Sequence, residues 1–269
     1  MSNGTKANFA VNRQAKGEVA VDLGVEERNR RFGGVAKLYG DATFRRFQHA
    51  TVVVVGLGGV GSWAAEALAR SAIGHLVLID FDHISESNTN RQLPALEGNF
   101  GREKVIVMAE RLMRINPLLR LTCHDAFLEP DNLDLLIPPE AIVLDATDAF
   151  KTKIALAAWS VAKQQDLVMC GAVGGKIDPS CLRCDDLGQA IQDPLLAKIR
   201  ADLRKNHGFS RDLKKKMGIL AIYSKEPQIG NSTGGLACAG YGSAVTVTAG
   251  CGFLAAAEVL TIISRKKVA

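Results

Sequence analysis

No disulfide framework can be read from this chain, because its six cysteines are scattered at irregular spacings through 269 residues, whereas stapled secreted domains are short and cysteine-dense. A reducing cytoplasm is the expected setting. The first 25 residues hold no apolar run of the kind a secretory signal needs. Their polar, Gly-, Asn- and Lys-bearing composition predicts a disordered leader over 1–25. No internal repeat is found. Charge is absent from Pro227 to Ala257, and the stretch GSAVTVTAGCGFLAAAEVLTIIS is largely apolar. A membrane span is one reading of it. Glu258, several threonines and many small residues favour a buried or docking helix instead, so membrane association is not expected.

What remains is ordinary for a chain with a sizeable core: 47% hydrophobic and 23% charged residues. At this length one large α/β domain, or a domain with an appendage, is expected. The formal charge of +5 permits an anionic partner such as tRNA without requiring one.

Strand and helix signals alternate from Thr51 to Gly171. TVVVVG is a buried strand by its β-branched run. The next segment places Val60, Trp63, Ala64, Ala67 and Leu68 on one helical face, and HLVLID follows as a second strand. So short a crossover makes a right-handed βαβ unit with parallel strands. EKVIVMAERLMRIN aligns Val105, Met108, Leu112 and Ile115, and Pro117 stops it. LLRLTCH and AIVLDAT read as strands, KTKIALAAWSVAKQQ as a helix and LVMCG as a further strand. This pattern predicts an α/β fold: a doubly wound, Rossmann-like, mostly parallel sheet over 26–175. Residues 176–269 read as a C-terminal extension packed on that unit. It comprises a helix capped by Asp193 with Pro194 at its first position, the basic connector HGFSRDLKKKMG, short strand-like pieces and a last helix.

Gly56, Gly58, Gly59 and Gly61 form the turn between first strand and first helix, where bare backbone lets amides approach a phosphate. Asp80 ends the next strand, where a carboxylate accepts from ribose hydroxyls. These features indicate an adenine nucleotide but do not separate NAD from ATP. The following loop does. Asp80, Asp82, Asn88, Arg91 and Gln92 fall within DFDHISESNTNRQ, and Lys104 follows on the next helix. Hydride transfer creates no charge on phosphate, whereas adenylation expels pyrophosphate and needs cations to offset that charge. Arg91 supplies a planar fork and Lys104 a point charge. Asp145 and Asp148, in VLDATDAF, lie at the carboxyl end of a strand, where a carboxylate can hold Mg²⁺. Helix capping is the alternative role for Asp148. The candidate catalytic residues are Arg91, Lys104 and Asp148.

The ordered set Gly-x-Gly-Gly-x-Gly, Asp-x-Asp, Ser-Asn-x-x-Arg-Gln, a Lys thirteen residues beyond that Arg, and Asp-x-Thr-Asp resembles the ubiquitin-activating-enzyme-like superfamily of ThiF/MoeB type. The resemblance spans Arg31 to Gly175. It implies that Asp80 and Asn88 contact ribose or phosphate, that Arg91 and Lys104 contact phosphates, and that Asp148 binds Mg²⁺. Within that superfamily RFGGVAKLYG, GGVGSWAAEALARSAIG, NTNRQ and IQDPLLAKIR resemble the tRNA threonylcarbamoyladenosine dehydratases. That resemblance implies ATP-dependent cyclisation of a threonyl carboxylate beside the tRNA anticodon, with AMP lost on ring closure. Activation of a ubiquitin-like or sulfur-carrier C-terminus is the alternative chemistry. A nucleotide-binding partner module of a sulfur-transfer pathway is the alternative outside catalysis, and an NAD dehydrogenase ranks last. ATP and Mg²⁺ are the expected cofactors, with a monovalent cation as a further candidate.

Three departures from the relatives matter. No cysteine lies between Lys216 and Gly230, so no thioester forms there and attack on the adenylate falls to a group within the substrate. Cys170, Cys238 and Cys251 read as buried. Cys181 and Cys184 form one CxxC pair with no second, so zinc is not expected. Of the Arg-x-x-Arg pattern that relatives donate across a dimer only Arg31 is kept, with Arg28 and Arg30 as alternatives; a homodimer is implied by the resemblance alone. The run from Lys198 to Lys216 reads either as a solvated face or as a strip for tRNA phosphates, with His207 and Phe209 available for stacking.

Overall fold

A computed structural model describes residues 9–10, 25–229 and 241–266. In chain order its elements are β1 (Phe9–Ala10), α1 (Val25–Tyr39), α2 (Asp41–His49), β2 (Thr51–Val55), α3 (Gly61–Arg70), β3 (His75–Ile79), α4 (Lys104–Ile115), β4 (Arg120–His124), α5 (Leu133–Leu136), β5 (Ile142–Asp145), α6 (Phe150–Lys163), β6 (Leu167–Cys170), β7 (Leu182–Asp186), α7 (Pro194–Asn206), β8 (Leu220–Ser224) and α8 (Val245–Arg265).

The β-branched run of β2 is buried on both sides because successive side chains enter different layers. Val52 and Val54 join one core with Leu68 of α3, Met108 of α4 and Val259 of α8. Val53 and Val55 join the other, with Leu136 of α5, Leu156 of α6 and Ile199 of α7. The eight strands run β1-β4-β3-β2-β5-β6-β8-β7. All pairings from β4 to β8 are parallel, and the antiparallel β1 and β7 flank them. Relative to β2 as first strand, the parallel order is 3-2-1-4-5-6, the doubly wound Rossmann arrangement. The chain reverses direction across the sheet between β2 and β5, and a crevice opens there beyond the strand ends.

Composition predicts disorder over 1–25, yet Phe9–Ala10 pairs with Cys123 and Thr122. The edge of β4 offers unpaired backbone groups that a passing segment can use. The rest of that leader lies outside the described residues, except that α1 begins at Val25. Beyond residue 175, β7 and β8 extend the same sheet, and α8 packs chiefly on α3. α8 is long and apolar enough to cross a membrane, but Val247, Cys251, Ala255, Val259 and Ile263 are buried in the core. Gly252 permits this closeness: a Cβ there would overlap the Val60 carbonyl and stand 3.1 Å from the Ala64 amide nitrogen. α7 begins as its sequence indicates, with the Asp193 carboxylate accepting from the Leu196 amide and Pro194 in the first turn.

Candidate active site

A cleft of about 420 Å³ opens at the β2/β5 crevice, within the usual size of a small-ligand site. Gly56 leaves β2 with φ +85, and a Cβ on it would press on the Ala146 carbonyl oxygen at 3.0 Å. Gly61 starts α3 behind it; a Cβ there would overlap the Gly56 carbonyl. Gly58 is open toward the cleft, while Gly59 packs under the Arg91 side chain, whose Cγ would be 3.1 Å from a Cβ. No side chain caps α3; the Ser62 and Ala64 amides donate to the Gly58 and Val60 carbonyls at 3.2 and 3.1 Å, and the helix start itself is the end that favours an anion.

Asp80 follows β3 and turns its carboxylate back on the loop. Its Oδ2 accepts from the Leu57 amide at 2.5 Å and its Oδ1 from the Asp82 amide at 2.8 Å. Burial holds this carboxyl above the ordinary range, partly offset by the Lys104 charge and the two amides. Lys104, only 4% exposed, extends from the first turn of α4 and donates to Asp82 Oδ2 at 2.8 Å. Ser85 and Asn88 close a capping box, with the Ser85 amide donating to Asn88 Oδ1 at 3.0 Å. Arg91 donates to the Ser87 carbonyl at 3.0 Å and Asn90 Oδ1 at 2.9 Å, and its own carbonyl accepts from the Trp63 indole. The Gln92 Oε1 is buried without a partner. Asp80, Asp82, Asn88, Arg91, Gln92, Lys104 and Asp148 all line the cleft with Gly56, Gly58 and Gly59.

Asp145 does not. Although it ends β5, it is fully buried, and its Oδ2 accepts from Lys153 Nζ at 3.0 Å. Its Oδ1 accepts from the Thr147 amide and hydroxyl at 3.0 and 2.8 Å. The cofactor contact open to Asp145 as a strand-end carboxylate is thereby corrected: its oxygens are occupied by protein donors and shape the loop that carries Asp148. Asp148 is exposed at the cleft and has no side-chain partner among the described residues. It does not cap α6, whose N-cap position is Ala149. A lone free carboxylate beside the glycine turn fits Mg²⁺, which takes one or two carboxylates and leaves its other positions to phosphate and water. Arg31 also lies off its own cleft; it pairs with Glu27 at 3.0 Å along α1. Arg30 faces Glu26 in the same way at 4.0 Å, and the Arg28 side chain lies outside the described residues.

Sequence reasoning missed several contributors. Lys153 is one, because a lysine within KTK carries no sign that the fold will bury it. Phe81 and Phe127 pair at 4.5 Å between ring centroids and are partly exposed on the cleft wall. Thr248 of α8 and Ser243 before it close the other side, and Asn90 donates to the Ser243 carbonyl at 2.9 Å. The Asp-Phe-Asp spacing could have flagged Phe81; nothing local flags the C-terminal residues, which arrive through the packing of α8 on α3. Cys170 and Cys251 are buried against each other, whereas Cys238 lies outside the described residues. Burial pushes the Cys184 thiol up to about 12, and Cys181 donates to Asp178 Oδ2 at 3.3 Å.

A model of the ThiF family matches residues 33–269. The tRNA threonylcarbamoyladenosine dehydratase of Haemophilus influenzae is 42% identical over 258 residues, 93% of this chain and 99% of that protein. A crystal structure of the Escherichia coli tRNA N6-threonylcarbamoyladenosine dehydratase in complex with ATP superposes with a TM-score of 0.83 at 41% identity, covering 90% of this chain and 97% of that one. The molybdopterin-synthase adenylyltransferase of Salmonella typhimurium is 37% identical over 124 residues, 46% of this chain and 50% of that protein.

Proposed function

The chain belongs to the ThiF family, and from that premise we propose that it uses ATP to dehydrate N6-threonylcarbamoyladenosine in tRNA. The observation that carries the chemistry is one cleft holding a glycine-lined helix start, Arg91 and the buried Lys104 together. The near full-length similarity to dehydratases carries the substrate.

In this reading the glycine-loop amides and α3 hold the phosphates, and Asp80 accepts from the ribose hydroxyls. The threonyl carboxylate attacks the α-phosphate, forming an acyl–oxygen–phosphorus linkage while pyrophosphate leaves. Arg91 and Lys104 offset the charge that builds on the phosphates. To do so Lys104 gives up part of its interaction with Asp82, whose carboxylate is mostly solvent-exposed. Asp148 would hold Mg²⁺, which would supply further charge neutralisation on the leaving group. A nucleophile within the substrate then attacks the acyl carbon and AMP leaves with the former carboxylate oxygen. The lost water is accounted for by that oxygen, the carboxyl proton already given up on ionisation and the one proton the nucleophile releases on ring closure. The absence of a cysteine between Lys216 and Gly230 supports this direct attack over transfer through a thioester.

The reading includes a homodimer in which Arg31 of one copy reaches the phosphates of the other, supported by its position off its own cleft. It also includes a cytoplasmic setting, in keeping with the free thiols of Cys123, Cys170, Cys181, Cys184 and Cys251. A sulfur-transfer partner is a further element, supported by the partial similarity to the molybdopterin-synthase adenylyltransferase.

The test is incubation with ATP, Mg²⁺ and threonylcarbamoylated tRNA. AMP and pyrophosphate should appear while the modified nucleoside loses the mass of one water. ATP turnover with no mass loss would remove the tRNA assignment.

A further inference from the structure

The chain's basic excess is not spread over its surface. Residues 198–216 hold eight Lys and Arg against two Asp, whereas the whole chain has a formal charge of +5; the remainder is therefore near neutral. Two of the eight are used by the fold. Arg200 donates to the carbonyls of Leu187 and Ala190, and Arg204 to that of Ser210. The other six, Lys198, Lys205, Arg211, Lys214, Lys215 and Lys216, are exposed, and none forms an ion pair with a described residue. Elsewhere exposed cations without an ion pair to a described residue, such as Lys37, Arg45, Arg114 and Lys151, stand singly in the sequence, and others are paired, as in Arg102–Glu110, Lys163–Asp134 and Lys266–Asp166; six within nineteen residues occur in this strip. The two acids of the segment are occupied locally: Asp202 accepts from Asn206 and faces His207, and Asp212 accepts from the Lys214 amide.

The strip also has a direction. α7 starts at the cleft, where Leu195 is part of the wall and Asp193 accepts from the Ala172 amide. Its 13 residues run about 20 Å. β8 is parallel to β6, so the connector entering it lies at the sheet edge opposite the cleft. Six unpaired cations thus lead from the cleft mouth across one side of the protein, a span that a polyanion fills and a free nucleoside does not.

We propose that the exposed face of α7 and the connector 207–219 dock the phosphate backbone of the tRNA whose modified nucleoside enters the cleft; this rests on the dehydratase reading and deepens it. The strip reads backbone and not bases. Phe209 packs against the core, so the stacking expected of it is not available. α7 turns Leu195, Leu196, Ile199 and Leu203 inward, leaving no apolar stripe for a lipid surface.

The experiment measures binding of threonylcarbamoylated tRNA without ATP over a salt series, for wild type, K214E/K215E/K216E and K214R/K215R/K216R. The charge-reversed protein should bind about tenfold or more weakly at low salt, and the slope of log affinity against log salt should fall by about one for each phosphate that is no longer neutralised. Its ATP affinity and melting temperature should match wild type, and the arginine variant should bind tRNA as wild type does. Unchanged tRNA affinity and slope in the charge-reversed protein would overturn the proposal. So would loss of binding to anionic vesicles or to an acidic protein with tRNA binding intact. Strip-dependent tRNA binding by a protein that dehydrates no nucleoside would instead sink the dehydratase reading and leave the strip standing.

Discussion

Lys153 Nζ lies 3.0 Å from Asp145 Oδ2 with both side chains fully buried. The same ammonium donates to the Cys170 carbonyl at 2.6 Å, so one cation ties together the ends of β5 and β6. The two loops that leave those ends, 146–149 and 171–174, both line the cleft. Removing one member of a buried pair strands the other, at a cost of about 3–5 kcal/mol. Lys153→Met should lower stability by that order in urea unfolding. Lys153→Met combined with Asp145→Leu should recover much of the loss, because neither member of the pair is then left as a stranded charge; a double variant as weak as the single would mean that loop geometry, or the Lys153 charge lost to the buried Asp193, sets the cost.

His75 gives a pH signature at the other edge of the sheet. Burial, reinforced by the Arg120 charge, lowers it from 6.5 to about 4. Its ring meets the hydroxyls of Thr51 and Thr122 and the Arg120 guanidinium. Between those two values the unfolded chain takes a proton that the native chain refuses. The stability due to this group is therefore complete above 6.5 and is lost as pH falls toward about 4. Melting temperature measured across that window should fall less steeply in His75→Gln than in wild type.

The contrast between β2 and Asp145 separates what was legible in the sequence from what was not. A run of valines entering glycines reports two buried faces and a tight turn through residues adjacent in the chain, so the sheet and the phosphate loop can be read directly. α1 and α2 give no comparable signal, being polar helices whose small core of Phe32, Phe44 and Ala72 forms only in three dimensions. At the end of β5 the identity of a carboxylate says that it can meet a cation, not which one. Lys153, one helical segment later, takes Asp145 into the protein and leaves Asp148 to the solvent. Arg31 fails to reach its own cleft for a similar reason: the motif places it on a helix, and only packing decides where that helix points.

In the proposed reading Asp80 connects ionisation to nucleotide binding. Its carboxyl is raised by burial above the ordinary 3.8, so protonation starts at a higher pH than for an exposed aspartate. A protonated carboxyl no longer serves as a charged acceptor for ribose hydroxyls. ATP affinity should therefore weaken as pH falls toward the raised value, and Asp80→Asn should bind more weakly with little pH dependence in that range. Folding stability moves the other way: the native chain holds the proton more tightly than the unfolded one, so this group's contribution grows as pH falls through the raised value and is lost as pH rises. Calorimetric titration with ATP, paired with melting curves at the same pH values, separates the two.

Arg91 and Lys104 distinguish ligand holding from catalysis. Arg91 is held by loop oxygens at Ser87 and Asn90 and Lys104 is buried against Asp82, so in the proposed reaction both stand at the cleft before ATP arrives, and Lys104 has only to loosen its Asp82 contact. Preorganised charge stabilises most strongly the state in which charge develops, here the departure of pyrophosphate. Arg91→Ala or Lys104→Ala should lower kcat by roughly 10² to 10³, while ATP affinity falls much less. Single-turnover release of pyrophosphate, with ATP affinity measured on the same proteins, reads the two effects separately. Equal losses in both would mean that these cations bind the ground state and transition state alike and contribute no selective stabilisation of the adenylation step.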